Sequence, residues 1–146
     1  MTRDFVADIK EFHEKFGLEY QGKPRLLIEE MKKFRLLFLK EELLEYERAF
    51  SGVDFADYAD VTHCLEHALD SLVDLVYVAI GTAYLHGFDF REAWRRVHEA
   101  NMKKERAVHI ADSKRGSMFD VVKPKGWEPP SHKDLVEGHS HRSDLP

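Results

Sequence analysis

Apolar residues recur every three or four positions through most of the first hundred residues, which is the period of a helix and not of a strand. Phe5, Ile9, Phe12 and Phe16 carry the first run, predicting a helix over roughly 4–16 that stops at Gly17. A second helix is predicted from near Pro24, a residue favoured in a first helical turn, to about Phe50 before Ser51-Gly52. Leu27, Met31, Phe34, Leu37 or Phe38, and Leu44 give it its period. The third, about 61–86, is apolar nearly all round, as expected of a central helix or one at an oligomer interface, and ends at Gly87. The fourth is predicted from Asp89 as N-cap to about Arg106, with Ala93, Trp94, Val97 and Met102 set against a basic face of Arg91, Arg95 and Arg96.

From about His109 the pattern changes. The stretch SKRGSMFDVVKPKGWEPPSH is rich in Gly, Pro, Ser and Lys and shows no helical period, yet Phe119, Val121, Val122 and Trp127 could anchor it. It reads as an ordered loop or extended arm, with the closing EGHSHRSDLP frayed. The expectation is an all-α, four-helix-bundle-like domain over residues 1–108, with 109–146 its irregular C-terminal arm and tail.

Composition narrows this further. The chain has 146 residues, 43% of them hydrophobic and 34% charged, and is most simply one domain with a real core. A net charge of −5, with no basic block before the tail, argues against general nucleic-acid binding. Cys64, the single cysteine, cannot form an internal disulfide, and the N-terminus lacks an apolar leader segment, so a reducing cytoplasm is expected. The apolar stretch from Leu72 to Leu85 is interrupted by Asp74 and falls short of a bilayer span, so no membrane partner is expected.

Two acidic clusters bring in the chemistry. Glu41, Glu42 and Glu45 lie in KEELLEYERAF, and Asp70 and Asp74 lie in ALDSLVDLVYVAIGTA. At about 3.6 residues per turn, Glu42 with Glu45, Glu41 with Glu45 and Asp70 with Asp74 share helix faces. Like charges at this spacing work against the helices, so helix stability does not explain them. Packed face to face, the two patches would supply four or more hard oxygen ligands, which suits Mg²⁺ or Mn²⁺ and not zinc. For EELLE alone, a solvated face with its Leu pair buried serves equally well. Asp70 and Asp74 shift the balance, because they sit among Ala68, Leu69, Leu72, Val73, Leu75 and Val76, where a merely structural carboxylate is hard to satisfy.

An EExxE helix, a second acidic helix ending in a D-L-V-Y-V type run, and then N-M-K-K resembles the all-α nucleotide pyrophosphohydrolases. These include MazG-like proteins, phosphoribosyl-ATP pyrophosphohydrolases and dimeric dUTPases. The resemblance covers about Pro24 to Arg106, and RGSMFDVVKPKGW looks like a phosphoribosyl-ATP pyrophosphohydrolase-like branch. It implies Mg²⁺, with Mn²⁺ as a substitute, held by Glu42, Glu45, Asp70 and Asp74, while Glu41 orients or deprotonates the attacking water. The expected reaction is Mg²⁺-dependent cleavage of a (d)NTP or related nucleotide to a monophosphate and pyrophosphate. The family's second motif is commonly E-x-x-D. Aligning its aspartate on Asp74 puts Ser71 where the glutamate would be, so Asp70, one residue earlier, is expected to substitute.

The positive side of the site is expected from the last helix and the arm: Asn101, Lys104, Arg106, Lys114 and Arg115, against the simpler reading of a solvated basic face. Trp127 reads as an anchor for the arm more than as a stacking platform. His63-Cys-Leu-Glu66-His67 spells the inverted zinc-protease motif, but this chain lacks a sheet-forming half, and histidines on a stripe with Asp70 and Asp74 are favoured. A di-iron bundle would need Glu-x-x-His pairs on two helices, and only Asp60-Val-Thr-His63 has that spacing, with a shorter acid. His139 and His141 read as incidental, and Cys64 as a buried thiol. The third helix points to a homodimer or homotetramer. The alternative function is a non-catalytic helical oligomerisation or nucleotide-binding module, its acids satisfied across an interface by Arg91, Arg95 and Arg96.

Overall fold

The structure is a computed structural model, described here for residues 2–140. The described residues are mostly helical and fall into two compact units, residues 2–88 with 138–140, and residues 89–137. The all-α expectation holds.

In the first unit α1 spans Phe5–Lys15, α2 Glu29–Arg48 and α3 Tyr58–His86. Asp4 starts α1 by accepting from the amides of Val6 and Ala7, and Asp57 starts α3 by accepting from those of Ala59 and Asp60. Such caps satisfy amides that have no partner within the helix. Gly87 closes α3 in the left-handed conformation, at φ 73°. A Cβ there would lie 3.1 Å from the carbonyl oxygens of Gly22 and Lys23, so the turn requires glycine.

Helix α3 is the centre of this unit, with α1 and α2 packed on it. By length and composition α3 is long and apolar enough to cross a bilayer, with a mean hydropathy of 1.5 over its most apolar window. The apolar character therefore extends beyond the Leu72–Leu85 stretch.

Helix α2 begins at Glu29, not near Pro24. The preceding segment is tied to the end of α3 instead: Arg25 donates from its amide to the His86 carbonyl and from Nε to the Leu85 carbonyl. The Tyr20 N–H donates to the Tyr84 hydroxyl, and the Tyr20 hydroxyl donates to the Lys23 carbonyl. These contacts satisfy the last carbonyls of α3 and hold residues 20–25 out of helix.

The buried positions differ from the apolar period. On α1 they are Ile9 and His13, whereas Phe5 and Phe16 are exposed. On α2 they are Arg35 and Glu42, seven residues apart and so on one face toward α3. Arg35 donates to the Val78 carbonyl at 2.7 Å and the Thr82 hydroxyl at 3.0 Å. Leu36, Leu37, Leu43 and Leu44 on α2, and Leu65, Leu69, Leu72 and Val76 on α3, are 40–66% exposed in the single chain.

In the second unit α4 spans Phe90–Asn101, capped by Asp89, and stops five residues before the expected Arg106. Trp127 supplies the reason: its indole Nε1 donates to the Ala100 carbonyl at 2.7 Å, taking an acceptor that a longer helix would use. Strand β1, Glu105–Arg106, then pairs antiparallel with β2, Val121–Val122. A short 3₁₀ turn at Ile110–Asp112 and a one-turn helix α5 at Lys133–Val136 complete the arm. The arm is thus ordered, irregular and anchored by Trp127. Of the closing segment read as frayed, residues 141–146 lie outside the described residues, while the Ser140 amide donates to the Pro24 carbonyl.

Candidate functional site

Glu42 is the centre of the acidic face between α2 and α3. It is 7% exposed, and its Oε2 has no hydrogen-bond partner among the described residues. Loss of water raises its pKa first, and the charges of Glu45, Asp74, Glu41 and Asp70 raise it further, in that order. The other four acids named from the sequence therefore all bear on Glu42. Glu41, Glu45 and Asp70 are exposed and Asp74 is half-buried. Among the described residues no three His, Cys, Asp or Glu side chains stand gathered as an ion's ligands.

Ser71, at the position where the motif usually has glutamate, is buried and donates to the His67 carbonyl at 2.8 Å. That hydroxyl serves the helix. Asp70 beside it is the weakest of the four charges felt by Glu42, and Asp74 one of the two strongest.

The basic candidates lie in the second unit. Asn101 ends α4 and is exposed, and Arg106, placed on β1 and not on a helix, reaches the Met118 carbonyl at 3.5 Å. Lys104 sits over the Trp127 ring, 5.3 Å from its centre, with Lys123 over the same ring at 4.7 Å. Lys104, Lys114, Arg115 and Lys123 share the wall of a cavity of about 420 Å³ with Asp112 and Asp120. Arg115 is paired with the buried Asp120, whose pKa is lowered by the Ser113 hydroxyl and then by Arg115. Lys123 and Asp120 were not singled out from the sequence. Only the fold of the arm brings them to Lys104 and Arg115.

The basic face of α4 is largely occupied. Arg95 pairs with Glu92 and Glu99, and Arg96 with Glu92 and Asp134. Between them these arginines hold Glu92 and Asp134 at pKa values of about 2. Neither arginine is a loose cation awaiting the acidic clusters of another chain.

Residues 9–101 match the model of the phosphoribosyl-ATP pyrophosphohydrolase family. The chain belongs to that family, and so to the MazG-like nucleotide pyrophosphohydrolase superfamily. The matched stretch holds all five acids and ends at Asn101, leaving Lys104, Arg106, Lys114 and Arg115 beyond it. Membership supports a pyrophosphohydrolase activity on nucleotides, within a family that is generally dependent on a divalent metal. No curated protein matches the chain.

The competing constellations fare differently. His63 and His67 do meet, with ring centres 4.3 Å apart, and both line a pocket at the α2–α3 end of the first unit. Glu66, the acid of the zinc-protease spelling, is exposed and not on that wall. Cys64 is free and buried, as read. His141 lies outside the described residues. Arg48, also on the pocket wall, was missed; its only sequence signal is its place one turn after Glu45.

Proposed function

We propose that the chain is a Mg²⁺-dependent pyrophosphohydrolase that cleaves a nucleoside triphosphate, or a related nucleotide such as a phosphoribosylated ATP, to the monophosphate form and pyrophosphate. One observation carries this reading: Glu42 is a buried carboxylate with an oxygen unpartnered among the described residues, crowded by four further acids. Such a group is destabilising unless a cation compensates it. The donor set is all carboxylate oxygen, which fits Mg²⁺ or Mn²⁺. Glu42, Glu45, Asp70 and Asp74 would hold the ion, and the exposed members are free to turn toward it. When bound, Mg²⁺ would neutralise charge on the phosphates being separated.

The chain's own residues supply the rest. Glu41 sits about 100° around the helix from Glu42 and is exposed, so it can face a water and accept its proton. Asn101, Lys104, Arg106 and Lys114 are proposed to bind substrate, and Arg115 to shape the arm as well as contribute charge.

A homodimer or homotetramer is proposed from the apolar residues left exposed. Leu65, Leu69, Leu72 and Val76 are spaced four, three and four residues apart, a single seam along α3. A lone chain leaves this seam in water. The same seam favours the second reading, a non-catalytic oligomerisation or nucleotide-binding module. The cytoplasm is the proposed location, and neither nucleic acid nor membrane is a proposed partner.

A panel of canonical and modified nucleotides, with pyrophosphate and phosphate detected separately, tests the reading. Turnover of at least one nucleotide is expected with Mg²⁺ or Mn²⁺ and none with chelator. No turnover of any nucleotide, with the protein folded and oligomeric, would favour the assembly module.

A further inference from the structure

The pocket between the end of α2 and the start of α3 has a volume of about 490 Å³, inside the roughly 300–1,000 Å³ range of small-molecule sites. It begins where the acidic face ends. Glu45, whose charge is the one that most raises the pKa of Glu42, is also on the pocket wall. So is Ser71, next in sequence to Asp70.

The wall mixes both signs. Glu45 and Asp60 offer acceptors, while Arg48, His63 and His67 offer donors. Arg48 makes no ion pair among the described residues, so its guanidinium is available to a ligand. The rings of His63 and His67 meet edge to face, at 82° between planes, and give the wall an aromatic surface. A string of phosphates does not suit this lining, because two carboxylates would repel it. A base and a sugar do suit it: ring edges carry donors and acceptors together, and sugar hydroxyls bond to carboxylates.

We propose that this pocket receives the nucleoside half of the substrate, with the phosphates toward Glu42 and Asp74. The proposal rests on the pyrophosphohydrolase reading for its placement of the phosphates. Arg48 and His67 are then residues that recognise substrate without taking part in bond cleavage.

Two measurements keep this inference separate from the activity itself. The first follows the ring proton signals of His63 and His67 by NMR, assigned with His63→Gln and His67→Gln, while adenosine, guanosine, cytidine, uridine and their 5′-monophosphates are added to the metal-free protein. Saturable shifts at both rings are expected with at least one nucleoside, weakened about tenfold in Arg48→Ala, a loss of about 1.4 kcal/mol. Shifts produced by inorganic phosphate or pyrophosphate and by no nucleoside would overturn the proposal, as would no shifts at all. Nucleoside binding without hydrolysis of any nucleotide would uphold the pocket while the hydrolase reading fails.

The second compares turnover of the best nucleotide with that of inorganic tripolyphosphate, which has phosphates and no nucleoside. In Arg48→Ala and His67→Ala, KM for the nucleotide should rise about tenfold with kcat nearly kept. Tripolyphosphate cleavage should be unchanged. Equal losses on both substrates would overturn the assignment, since a damaged fold or metal site acts on each alike.

Discussion

Arg115 donates to the buried carboxylate of Asp120, which also accepts from the Ser113 hydroxyl and the Val121 amide. A residue chosen as a phosphate ligand is therefore also part of the arm's own framework. Lys114 beside it makes no ion pair among the described residues, so the two neighbours should behave differently.

Arg115→Ala should lower Tm, and Lys114→Ala should leave Tm unchanged while raising KM for the nucleotide more than it lowers kcat. The Arg115 effect has a pH signature. Asp120 has a folded pKa depressed below its ordinary 3.8, so its contribution is present above that value and lost as the pH falls through the folded one. Thermal melts of wild type and Arg115→Ala should converge in that acidic window. A constant gap down to full protonation would mean that the arginine acts through something other than Asp120.

Glu42 gives the opposite sign. Its folded pKa is raised above the ordinary 4.5, so the stability linked to its protonation is present below that value and lost as pH rises through the folded one. Glu42→Gln should therefore raise the stability of the metal-free protein at neutral pH, seen as a higher Tm. It should also abolish metal-dependent turnover. Added Mg²⁺ should stabilise wild type and not the variant, which differential scanning calorimetry can follow. A variant that keeps full activity would remove Glu42 from the site.

How much of this was legible before the fold is clearest at α2. The helical period, the EExxE cluster and the cap at Asp89 were readable, because each depends on neighbours within a turn or two. Burial was not. The apolar period suggested an inward stripe of Leu and Phe, whereas the inward residues are Arg35 and Glu42, whose acceptors and neighbours lie on α3. The early end of α4 depends likewise on Trp127, 27 residues away in sequence. The late start of α2 depends on Arg25 reaching the end of α3. Contacts at that separation leave no local pattern.

Glu41 and the two aspartates should separate by role. Glu41→Gln should cut kcat by roughly 10²- to 10⁴-fold while leaving metal and nucleotide binding in place, as for a group that acts on water. Asp74→Asn should weaken metal binding more than Asp70→Asn, because Asp74 bears more strongly on Glu42. Calorimetric titration of Mg²⁺ into each variant decides both points. Loss of metal affinity in Glu41→Gln equal to that in Glu42→Gln would make Glu41 a ligand, and equal losses in the two aspartates would put both beside the ion.

Gly81 lies within α3, where helix propensity alone would favour alanine by about 1 kcal/mol. The packing argues the other way. A Cβ at Gly81 would lie 2.9 Å from Arg35 Nη2 and 3.1 Å from His13 Nε2. Arg35 is 8% exposed and its Nη2 donates to the Val78 carbonyl, while His13 is 2% exposed with Nδ1 at 3.1 Å from the Leu18 carbonyl. Moving either side chain breaks a hydrogen bond in a place water does not reach, at a cost of about 1–3 kcal/mol for each polar group left unsatisfied. Gly81→Ala should therefore destabilise the protein despite its better propensity. Arg35→Met gives the Cβ room, so the double variant Gly81→Ala/Arg35→Met should lose less than the sum of the single changes, a coupling that chemical denaturation can measure. Strict additivity, or a stabler Gly81→Ala, would show that the glycine is not there to admit the guanidinium.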